Sequence, residues 1–150
     1  MGNIVATRSR SKLLLFAGVV AIMVALLAGC DPAKENDFVA QINQLRASQG
    51  LPTLQVDGTM LGVARSWSDT MAAQGYISHN PYLASQAPAG WTKLGENVGV
   101  GYNVASLMQA FINSPAHYAN LVDPTWNYVS VGVSYSPDGR MFVTQDFMRR

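Results

Sequence analysis

The order of segments predicts an α+β fold in which helices pack on a small antiparallel sheet. Three observations lead there. Apolar residues recur at helical spacing in segments 37–50, 57–75 and 103–113. The stretch 76–101 loses periodicity. The chain then ends in two runs rich in Val, Tyr and Phe, joined by a turn.

In "DFVAQINQLRASQG", Phe38, Ile42 and Leu45 share a helical face with Val39 beside them; Asn36 or Asp37 can cap the start and Gly50 the end, with Pro52 beyond. In "VDGTMLGVARSWSDTMAAQG", Asp57 precedes a stripe of Met60, Val63, Ala64, Trp67 and Met71, and Gly75 is a natural stop. Trp67 falls within that stripe, so core packing is its expected role. From Tyr76 to Gly101 the composition turns to Gly, Pro, Ser and Asn, which reads as a long loop of the kind that often carries function. Asn103 caps the next helix, with Val104, Leu107, Met108 and Phe111 as its apolar stripe. Ser114 and Pro115 open a short one, Ser114 as N-cap with its hydroxyl engaged and Pro115 at the first helical position. "YVSVGVSY" and "MFVTQDF" are strands, and Pro137-Asp138-Gly139 marks the hairpin turn between them.

The N-terminus is read separately. Arg8, Arg10 and Lys12 precede an apolar run and then Cys30, the order of a secretory leader over residues 1–29. "LLAGC" resembles the bacterial lipobox, which implies lipidation of Cys30 and a stable membrane attachment. Residues 30–36 would form the lipidated end and a short tether, "DPAKEN" reaching at most about 20 Å when extended, and 37–150 the folded domain. The address is then extracytoplasmic, at a bacterial cell envelope. The whole chain carries ten Lys/Arg against nine Asp/Glu. Without the leader's three bases the balance is about −2, with no basic surplus for nucleic acid. Cys30 is the single cysteine, which excludes an internal disulfide and a thiolate-built zinc site.

Two histidines remain, His79 in "SHN" and His117 in "SPAH". His117 would sit three residues after its cap, where unpaired N–H groups and the helix dipole disfavour an imidazolium. Glu96 lies between glycines in "LGENVGVG", where a carboxylate can point into a cleft. His79, Glu96 and His117 form a two-histidine, one-carboxylate set of the type that binds zinc or another divalent metal with an open position. Their separation along the chain leaves their assembly to tertiary structure. A half-buried structural role for each is the competing reading. The chain has no G-x-S-x-G elbow, no P-loop ending and no dinucleotide fingerprint. Asp123 before Pro124 reads as a turn residue.

"SHN", "LGENVGVG", "NSPAHYANLVDP" and "VSVGVSYSPDGRMFVTQDF", in that order, resemble the bacterial branch of the CAP superfamily, the SCP-like domain related to cysteine-rich secretory proteins. The likeness runs from about Asp37 to Phe147. It implies an α-β-α sandwich with a central antiparallel sheet and a cleft. His79 and His117 would be the cleft histidines and Glu96 its acid, with Asn80, Asn97 and Ser114 as polar support. In the family such a cleft holds a divalent metal in some members. Many members carry a further acid just ahead of the second histidine, but "AFINSPAH" has none. The implied function is a non-enzymatic, membrane-tethered binding module for a lipid or envelope ligand. One alternative is a metal-assisted hydrolase, with zinc on His79 and His117 and Glu96 as third ligand or general base. Another is a purely structural polar cluster.

Overall fold

A proline just behind an aspartate starts the first helix. The computed structural model describes residues 30–150; the leader expected over 1–29 lies outside them. Helix α1 runs Pro32–Ser48, with Pro32 in its first turn and the Asp31 carboxylate accepting from Lys34 N at 3.2 Å. The tether expected over residues 30–36 is therefore mostly helix. Its first turn escaped the apolar pattern because an ion pair holds it: Glu35 is buried against Arg65, Nη2 to Oε2 at 2.6 Å.

Helix α2 (Gly58–Gln74) is capped by Asp57, which accepts from Thr59 N and Met60 N, and ends at left-handed Gly75. Both ends follow the sequence reading. A short helix α3 (Leu83–Gln86) and strand β1 (Lys93–Gly101) replace much of the loop expected between Tyr76 and Gly101. Helix α4 (Val104–Asn113) starts at the Asn103 cap, and its expected stripe is buried. Helix α5 (Pro115–Val122) follows at once. Ser114 joins the two, its N–H bonding Phe111 O and its carbonyl accepting from Tyr118 N. The backbone thus serves both helix ends, while its side chain makes no capping bond, contrary to expectation.

Strands β2 (Tyr128–Tyr135) and β3 (Met141–Arg149) form the expected hairpin. The antiparallel sheet has the order β1-β3-β2, which leaves β1 at an edge. Helix α2 packs on one face; α1, α4 and α5 cover the other. This is the α-β-α sandwich that the resemblance implies.

The face under α1, α4 and α5 is the apolar one. Val129, Val131, Val133, Val143 and Phe147 meet Phe38, Ile42, Leu107 and Phe111 there. Buried Arg46 donates from Nη1 to Leu121 O and Asp123 O, and from Nε to Pro52 O. It thereby satisfies carbonyls that α5 leaves open at its C-terminal end.

No described helix is long and apolar enough to cross a membrane.

Candidate functional site

Strand β1 exists because its glycines make room for neighbouring side chains. A Cβ on Gly95 would stand 2.9 Å from Trp126, and one on Gly99 2.7 Å from Phe111. Gly95, Asn97, Gly99 and Gly101 thus face the three-helix layer, while Leu94, Glu96, Val98 and Val100 face α2. That alternation is the signal in "LGENVGVG" that a search for apolar periodicity misses.

Glu96 lies beneath the turn that follows α2. Trp67 Nε1 donates to Ser78 O at 2.7 Å, which fixes the residue ahead of His79. The His79 ring then places Nδ1 2.6 Å from Glu96 Oε1, and Asn80 N donates to the same oxygen at 3.0 Å. The Glu96 side chain is 6 % exposed and that of His79 69 %, so an outward imidazole stands on a buried carboxylate. A carboxylate at Nδ1 favours the tautomer with its proton there, leaving Nε2 as an outward acceptor. Asn80 is buried and tied at both ends of its amide, accepting from Tyr82 N and donating to Gln86 Oε1, each at 2.9 Å.

His117 belongs to the opposite layer. Its ring packs edge-on against Phe111, with centroids 5.1 Å apart. Burial holds its pKa below the usual imidazole value, and the charge of His79 acts in the same direction. The sequence argument expected an uncharged ring from the helix end; the causes here are burial and the second histidine. The His117 carbonyl accepts from Asn97 Nδ2 at 3.2 Å, and Asn97 also donates to Gln145 Oε1 at 3.1 Å. Asn120 donates to Asn97 Oδ1 and to Glu96 O, so α5 is tied to the edge of β1. The two imidazoles approach from either side of that edge strand, close enough for one charge to affect the other.

Among the described residues no group of three or more His, Cys, Asp or Glu is placed to hold a metal ion. Glu96 Oε1 accepts from the His79 ring and Asn80 N, so Glu96 stands behind His79 as its hydrogen-bond partner and not beside it as a ligand. The three-ligand centre expected from the residue types does not fit this arrangement. Of the support residues, Asn80 and Asn97 are engaged as described, while Ser114 contributes backbone only. A groove lined by Pro52, Pro124, Trp126, Tyr128 and Arg150 contains none of these residues. Sequence reasoning missed Asp146, which β3 places directly opposite Glu96. Its signal was an acid inside the apolar strand "MFVTQDF".

A sandwich of this topology, with histidines approaching from either side of a glycine-rich edge strand, defines an SCP-type domain. The family model "CAP: Cysteine-rich secretory protein family" matches residues 39–147, and the chain belongs to that family. The uncharacterized protein YkwD of Bacillus subtilis is 30 % identical over 124 residues, covering 77 % of this chain and 47 % of that protein. The chain thus spans about half the length of this curated relative. An extracellular SCP-domain protein of Bacillus anthracis superposes with a TM-score of 0.70 at 24 % identity, covering 80 % of this chain and 41 % of that one. An outer surface protein of Borrelia burgdorferi gives 0.75 at 17 % identity, covering 83 % and 99 %.

Proposed function

We propose that this chain is an extracytoplasmic CAP domain, held at a membrane through lipidated Cys30, that acts as a non-enzymatic binding module for a lipid or other envelope ligand. The surface around His79 carries the reading: Tyr76, Ile77 and Tyr82 all stand exposed within three positions of it. Exposed large apolar side chains on the same short segment as an outward hydrogen-bond acceptor can form a ligand surface. The leader-like N-terminus supports the address, as do the extracellular and outer-surface proteins of like fold. A metal-assisted hydrolase would need Glu96 as ligand or base, and its Oε1 is held by two donors while its Oε2 is buried.

A second reading draws on those same two bonds. They pin the turn after α2 to β1, as a structural staple would. One set of measurements separates the two. The full-length chain in detergent is titrated by native mass spectrometry with anionic phospholipid and with soluble envelope glycan fragments. Binding weakened about tenfold by Tyr82→Ser and by His79→Ala, at an unchanged melting temperature, supports the module. Failure of both ligands to bind, with a large loss of stability in His79→Ala, leaves the staple alone.

A further inference from the structure

The pairing of β1 with β3 sets Glu96 directly opposite Asp146. Such partners share a face, with Cβ atoms about 4.5–5.5 Å apart. Both carboxyls are buried, Asp146 to 1 % exposure. Glu96 has its two donors on Oε1, while its Oε2 and both oxygens of Asp146 are buried without any partner. Three acceptor oxygens thus share the layer beneath α2 with no donor among them.

Among the described residues no neighbour supplies one. Ser130, opposite Asp146 on β2, donates to Asp57 O. Thr144, two residues before it on β3, is paired with Ser68 of α2. Arg65 of α2 is committed to Glu35, and Asp69 of α2 is an acid that accepts from Ser134. Two ionised carboxylates here would repel in a poorly screened interior, each short of the donors that a buried anion needs. A single proton removes the repulsion and pairs two of the three oxygens, because a protonated carboxyl is itself a donor; what is left is one neutral carbonyl oxygen in place of an unpaired anion. It belongs on Asp146, neither of whose oxygens has a donor, whereas Glu96 already has two on Oε1. Burial, and after it the charge of Glu96, push the Asp146 carboxyl well above the ordinary aspartate range.

We propose that Asp146 stands in the folded domain as a neutral carboxylic acid, a positioning residue that donates its O–H to Glu96 Oε2 and so fixes the carboxylate that orients His79. The chain of bonds then runs from Asp146 O–H to Glu96 Oε2, and from His79 Nδ1–H to Glu96 Oε1. Nε2 is left outward for a hydroxyl or amide of whatever ligand the surface takes. The assignment holds whether or not that ligand is a lipid.

The test is carboxyl-carbon and imidazole NMR on the full-length chain in detergent micelles, where only two histidines contribute ring signals. The Asp146 carboxyl carbon is expected at the neutral-acid position at pH 7, with Glu96 at the ionised one. An ionised Asp146 at that pH overturns the proposal, and this measurement needs no variant. Asp146→Asn keeps a neutral donor, so its His79 titration curve should overlay that of wild type. A displacement of half a unit or more, about threefold in the protonation equilibrium, shows that a charge was removed and overturns it too. Asp146→Leu removes the donor and should move the curve by about 0.3 unit or more; an unmoved curve refutes the positioning role.

Discussion

The two faces of the sheet solve the same packing problem differently. Towards α1, α4 and α5 the strands present Val129, Val131, Val133, Val143 and Phe147, an apolar layer that stabilises by area removed from water. Towards α2 they present Ser130, Gly132, Ser134, Thr144 and Asp146 beside a smaller apolar group of Val98, Phe142 and Met148. There the helix backbone lies directly on Gly132, where a Cβ would overlap the Ala64 peptide. The Ser68 hydroxyl donates to Gly132 O and pairs with Thr144, each at 2.9 Å, and Ser134 donates to Asp69 at 2.6 Å. One layer holds by volume; the other adds close approach and matched hydrogen bonds to a smaller apolar cluster. The polar layer is also where Glu96 can be buried and still find donors.

The largest expected effect lies in the apolar layer. Phe147→Ala should cost about 3–5 kcal/mol, read as a lowered urea midpoint. On the other face, Gly132→Ala adds one carbon and should cost about 3 kcal/mol, because the overlap is with backbone that no rotamer change relieves. A cost below about 1 kcal/mol there would break the contrast. Ser68→Ala should cost about 1 kcal/mol, since both its partners stay buried.

Acid sharpens the comparison. Asp123 is pushed up by burial, but Lys93 and Thr125 hydrogen bonds outweigh this and bring it to about 2. Its folded pKa lies below the unfolded value, so its contribution is full above about pH 4 and fades as the pH falls towards 2. After discounting for the exposed lysine this is about 1–2 kcal/mol. Stability curves at pH 5 and pH 2.5, with Lys93→Met beside wild type, check it.

Two further pH slopes have opposite signs on the two faces. His117, held below 6.5, contributes stability above that pH that is lost as the pH falls through its folded value. Asp146, held well above 3.8, contributes stability at low pH that is lost as the pH rises towards its folded value. His117→Phe should remove the first slope and Asp146→Asn the second. Melting temperatures from pH 4 to 8 would show it, and parallel slopes in both variants would refute the assignment.

Local signals carried much of this fold. The Asp57 and Asn103 caps, left-handed Gly75, the α4 stripe and the closing hairpin each depend on a few neighbouring residues, and each appears where the sequence placed it. Asp123 accepts from Thr125 N at 2.8 Å, the turn expected before Pro124. Features that depend on distant partners stayed hidden. The first turn of α1 rests on Arg65, thirty positions away. Buried Arg46 reads as an ordinary helix arginine until α5 brings carbonyls to it.

The sequence by itself determined where α2 begins and ends, where α4 begins, which stripes are apolar and which few side chains could bear chemistry, because caps, turns and periodicity act within a few residues. Tertiary structure alone decided that the glycine-rich middle is an edge strand, since its glycines answer to Trp126 and Phe111. It also decided that Glu96 serves His79 from behind and that Asp146 lies against it. Pairing register and burial set those relations, and both arise only when strands far apart in the chain come together.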